Sequence, residues 1–139
     1  MRTFAVLALL GASCLVHAAS QDKPAIKMVP PSNTSAASGP EMFNTYCAVC
    51  HGKSGKGDGP AAASLKQPAT DLTQIARRNG GKFPDIQIRQ ILIGEVHGAH
   101  GNSEMPVWGP VFKSIDTGDS LWRLRVQNLI DYIHTIQAK

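Results

Sequence analysis

The sequence predicts an all-α domain. Four segments carry helical periodicity or helix-end signals, and no segment shows the apolar–polar alternation of a strand. Glycine-rich stretches at 52–60 and 94–110 separate those segments, so long loops are expected between the helices.

Each helix has its own signals. The first is expected from Pro40 to about Cys47, where Ser38 or Gly39 can cap, Pro40 suits the opening turn and Glu41 favours the positive end of the dipole. A short second helix is expected over roughly Leu72 to Arg78, entered through Thr70-Asp71 and stopped by Asn79-Gly80-Gly81. The third runs from Pro84 to Ile93, with Gly94 at its end and Ile88, Ile91 and Leu92 on one face. The last and longest spans about Asp119 to Ile136, where Trp122, Val126, Leu129, Ile130 and Ile133 recur at steps of three and four.

The first 19 residues are expected to be a signal peptide. Arg2 begins it, Phe4 to Val16 is almost wholly apolar, and Val16-His17-Ala18 offers small residues for cleavage after Ala18 or Ala19. That apolar run is short for a bilayer span. Membrane association therefore requires that it stay uncleaved or that Cys14, in "GASC", be lipidated; Gly11 stands where a lipidation box wants an aliphatic residue. Residues 20–38, rich in Ser, Pro and Ala, read as a flexible leader, and residues 39–139 as the single domain. The formal charge of +4 is spread thinly, its longest basic run being Arg77-Arg78, so no nucleic-acid footprint is present.

Chemistry concentrates in "CAVCHG", residues 47–52. Two thiols three residues apart, followed by an imidazole, admit a dithiol or disulfide, half a zinc site, or attachment of a c-type haem. A thioredoxin-like dithiol wants strands, and the sequence pattern offers none. A zinc set would recruit His97 and His100, whose two intervening residues are fewer than zinc fingers use, and would leave His51 idle. Attachment of one covalent haem c uses all three residues. Cys47 and Cys50 share one helical face and meet the two vinyl groups of a porphyrin, while His51 turns over the ring toward the iron. A second axial ligand is then needed. Met105, stiffened by Pro106 in "EMPVWG", is a soft thioether in a polar loop; His97 and His100 in the same loop are its rivals.

From Gly39 onward the chain resembles the class I monohaem cytochromes c. The resemblance rests on the CxxCH, the export signal, the downstream Met-Pro and the amphipathic last helix. Gly39 and Phe43 stand eight and four residues before the first cysteine, as in that family, and "LIDY" supplies the matching Leu129 and Tyr132. The resemblance implies a small cytochrome c fold, three to five helices around an attached haem, with the first and last helices crossing. It implies that the Pro60 carbonyl accepts a hydrogen bond from His51 Nδ1, that Trp108 reaches a haem propionate through its indole N–H, and that Leu65 and Leu72 wall the haem face.

The expected function is electron transfer by a non-enzymatic periplasmic carrier with His51 and Met105 as axial ligands. The alternative is a haem c subunit or module of a larger dehydrogenase or oxidase complex. Expected partners are redox proteins with an acidic docking surface, guided by Lys53, Lys56 and Lys66, and the carrier itself is expected to be monomeric.

Overall fold

Ser38 opens the first helix of the computed structural model by accepting from the Glu41 amide at 3.3 Å. The structure describes residues 32–96, 106–115, 118 and 120–139. Helix α1 (Gly39–Met42) continues through a π turn (Phe43–Cys47) into α2 (Ala48–His51). The helical path thus runs four residues beyond the expected end at Cys47. In the π turn the Ala48 amide bonds the Phe43 carbonyl, five residues back, which widens the turn and buries both Tyr46 and Cys47.

The Leu72–Gln74 turn is 3₁₀ and leads into α3 (Ile75–Arg78); α4 is Asp85–Ile93, α5 is Trp108–Ile115 and α6 is Leu121–Thr135. Another 3₁₀ turn covers Ala62–Ser64. No strand occurs among the described residues. Helix α5 is absent from the sequence expectation. It carries Trp108 and Phe112 into the core, with Val111 and Ile115 packed against it. Pro110 falls in its first turn, where the missing N–H costs nothing. Gly109 lets its backbone lie on α4: a Cβ there would stand 3.0 Å from Ile93 Cα.

The first and last helices cross as expected. A Cβ on Gly39 would lie 2.3 Å from the Asn128 carbonyl oxygen and 2.7 Å from Tyr132 Cβ. Only glycine permits that approach. Phe43 meets Tyr132 with ring centroids 5.2 Å apart, and Leu129 is wholly buried beside them.

The flexible-leader reading of 20–38 is corrected for 32–38. Thr34 is buried and bonded to Arg125, and Asn128 Nδ2 donates to the Ala36 carbonyl at 2.8 Å. Composition suggested disorder, but this segment finds polar partners on α6, the buried Arg125 and the half-buried Asn128. At the other end, Gln137 and Ala138 stitch the 72–76 segment down. Gln137 Nε2 donates to Leu72 O at 2.8 Å, its Oε1 accepts from the Ala76 amide at 2.9 Å, and the Ala138 amide donates to Thr73 O at 2.8 Å.

Candidate haem-attachment site

The C-terminal end of α2 leaves carbonyls without helical partners, and the glycine-rich loop supplies them. Ala61 donates to Val49 O at 2.8 Å, Gly59 to Cys50 O at 3.1 Å and Gly57 to His51 O at 2.8 Å. Gly59 sits so close that a Cβ would fall 2.5 Å from Val49 O and 2.6 Å from Ala48 O. This loop therefore clamps the attachment helix through its backbone.

Cys47 is buried, Cys50 is half-buried, and no disulfide joins them. Burial, assisted by the neighbouring Cys50, pushes the Cys47 thiol up to about 12. A neutral sulfur in an apolar wall suits a thioether better than a metal thiolate, which must be deprotonated.

His51 is buried, and its Nδ1 lies 2.9 Å from the Thr70 carbonyl. A carbonyl only accepts, so Nδ1 carries the proton and Nε2 presents its lone pair. Burial lowers the imidazole pKa, opposed by the bond to Thr70. The ring is thus held neutral, as a metal ligand must be. The partner is Thr70 rather than the expected Pro60, which is exposed. The amides flanking Pro60 are spent on Cys50 and Val49, while Gly57 packs against Ala69, a Cβ there meeting Ala69 O at 2.3 Å. That contact delivers the next residue, Thr70, to the imidazole. No motif flags Thr70; a polar loop residue contributing only its carbonyl leaves no side-chain signal.

Asp71 fixes the same segment by accepting from the Thr73 amide at 2.9 Å and the Thr73 hydroxyl at 2.6 Å. Those bonds, led by the hydroxyl, hold its carboxyl below the usual range. Leu72 follows, half-buried, packed against the core and bonded through its amide to Gly55 O at 2.7 Å. Leu65 is also half-buried.

Trp108 is buried against Tyr46, ring centroids 5.3 Å apart, yet its indole N–H has no acceptor among the described residues. An orphaned buried donor is costly and fits an anionic group that completes the site. A haem held between His51 and Met105 predicts a cavity there, but Met105, His97 and His100 lie outside the described residues, as does any zinc set using those histidines. A separate cavity of about 510 Å³ lies along the loop side of α2, lined by Asn44, Val49, Lys53, Asp58 and Pro60 among others; neither Cys47 nor His51 lines it.

Paired thiols, a neutral imidazole with Nε2 available, and an orphaned indole donor together fit a haem. The cytochrome c family model matches residues 36–137, and the chain belongs to the cytochrome c family. It carries a covalently bound haem c and is a haem-binding electron-transfer protein, in keeping with the class I all-α fold. No curated protein and no solved structure matches the chain. Among the described residues no helix is long and apolar enough to cross a membrane.

Proposed function

We propose that the protein is an exported, periplasmic electron carrier, attached to its haem through Cys47 and Cys50, with His51 Nε2 and the Met105 thioether as axial ligands. The observation that carries this reading is the Thr70 carbonyl on His51 Nδ1, since it leaves the other ring nitrogen as the acceptor. The bound group supplies one-electron chemistry between ferric and ferrous iron. The chain's own part is to hold the imidazole neutral and oriented, to exclude water with Leu65 and Leu72, and to offer the Trp108 N–H to a propionate. With both axial positions taken by side chains, no position remains for a substrate, so the protein is not an enzyme. A thioether ligand and an apolar surround both favour the less charged ferrous state and raise the potential.

Residues 1–19 act as the export signal. Lys53 and Lys56 are exposed on the loop that wraps α2 and Lys66 is exposed just past the Ala62–Ser64 turn; together they steer an acidic redox partner to the monomer. An absorption spectrum of the exported protein, oxidised and reduced, tests the assignment. Low-spin spectra with a methionine–iron charge-transfer band in the oxidised form are expected. A high-spin spectrum, or bis-histidine character lost on His97→Ala or His100→Ala, overturns the Met105 ligand.

A further inference from the structure

Behind the attachment helix lies a polar chain that the haem motif does not require. Arg125, on α6, is buried and donates through Nη1 to the Thr34 carbonyl at 2.8 Å and the Thr34 hydroxyl at 2.9 Å. The Thr34 Oγ1 and Tyr46 Oη are 2.8 Å apart, and Tyr46 Oη donates to the Ser32 carbonyl at 2.5 Å.

The direction of every proton in this chain follows from its ends. A guanidinium only donates, and a backbone carbonyl only accepts. The single Tyr46 proton goes to Ser32, so Tyr46 Oη accepts from the Thr34 hydroxyl, which accepts in turn from Arg125. The three successive bonds of the relay, Arg125 to the Thr34 hydroxyl, Thr34 to Tyr46 and Tyr46 to Ser32, point one way, and such a chain strengthens itself when buried and headed by a charge.

Tyr46 joins this chain to the haem side of the core. It directly precedes Cys47, and its ring packs on Trp108 at 5.3 Å and on Phe112 at 5.6 Å. Fixing its hydroxyl fixes the plate against which the Trp108 indole rests. Trp108 and Phe112 also touch each other, at 5.5 Å, so the indole is held from two sides.

We propose that Arg125, Thr34 and Tyr46 form a one-way clasp that positions the Trp108 indole N–H toward the haem, so that a strap of residues preceding the first helix sets the reduction potential. The three act as positioning residues. The proposal rests on the reading of Trp108 as a propionate donor. A propionate that loses this donor leaves more negative charge uncompensated beside the iron, which favours the ferric state and lowers the potential.

The test uses the haem-loaded, full-length protein and two mild variants. Tyr46→Phe keeps the ring packing and removes the hydroxyl; Thr34→Val keeps the volume and removes the relay. Two quantities are read: the midpoint potential by redox titration, and solvent exchange of the Trp108 indole proton by NMR on the reduced protein. The clasp predicts a lower potential and several-fold faster indole exchange in both variants. It also predicts that neither substitution lowers the potential further in a Trp108→Phe background, where the donor is already gone. Reduced thermal stability with potential and indole exchange unchanged would show a merely structural network and overturn the clasp. If Trp108→Phe shifts the potential while Tyr46→Phe and Thr34→Val do not, the clasp falls and the propionate reading stands. If Trp108→Phe leaves the potential unchanged, the propionate reading falls and the clasp as stated falls with it.

Discussion

Gly39 and Asn128 touch backbone to backbone: a Cβ on the glycine would sit 2.3 Å from the asparagine carbonyl oxygen. The crossing of α1 and α6 has no slack there. Gly39→Ala must push the helices apart or bend one of them, at a cost of about 1–3 kcal/mol typical of overpacking. Denaturant unfolding of the haem-loaded protein should show that loss, with a larger one for Gly39→Val. An unchanged midpoint for Gly39→Ala would mean that the helices do not approach so closely.

Covalent attachment should survive denaturation. Mass spectrometry of unfolded protein matured in a haem-attaching host should retain the mass of one haem. Cys47→Ala or Cys50→Ala should leave a single thioether and sharply lower the yield, because the group completes the core. Haem extracted by acid acetone from the unmodified protein would contradict attachment.

Met105→Ala should open the sixth position, so that reduced protein binds carbon monoxide at neutral pH and the potential falls. Met105→His should stay six-coordinate yet also lower the potential, since a second imidazole favours ferric iron relative to a thioether. Retention of the low-spin spectrum and potential in Met105→Ala would assign the position to another residue.

Asp71 gives the stability a particular acid limb. Its carboxyl is held below the usual range, chiefly by the Thr73 hydroxyl, so its ionised form stabilises the folded state. That contribution is complete above the unfolded value of about 3.9 and is lost as pH falls through the lower folded value. Asp71→Ala should therefore cost about 1 kcal/mol at neutral pH, a usual capping loss. The gap between variant and parent should narrow below about pH 4. A gap that is constant from neutral to strongly acid pH would assign the effect to packing.

The sequence made α4 and α6 readable to within two residues at each end, because each has an apolar stripe and α4 ends on a left-handed glycine, Gly94. Other features had no such mark. Helix α5 hid behind Gly109-Pro110, a pair that reads as loop but here serves a close helix contact and a first turn. The strap at 32–38 looked solvated because its partner, Arg125, lies 91 residues from Thr34. Within the site, the CxxCH declared itself through side chains. The carbonyl that orients His51 did not, since any residue has one; the packing of Gly57 on Ala69 and the bonding of the amides around Pro60 select Thr70 over Pro60.

The stitch made by Gln137 and Ala138 ties two distant parts of the chain to one event. Their three bonds hold residues 72–76, which begin two positions after Thr70, the residue steadying the imidazole. Fraying after Ile136 therefore frees more than a chain end: it slackens the tether of the imidazole proposed to hold the iron, 86 positions earlier than Gln137 in the sequence. A bulky fusion placed there, or a protease clipping those residues, would be registered at the metal as a ligand that wanders.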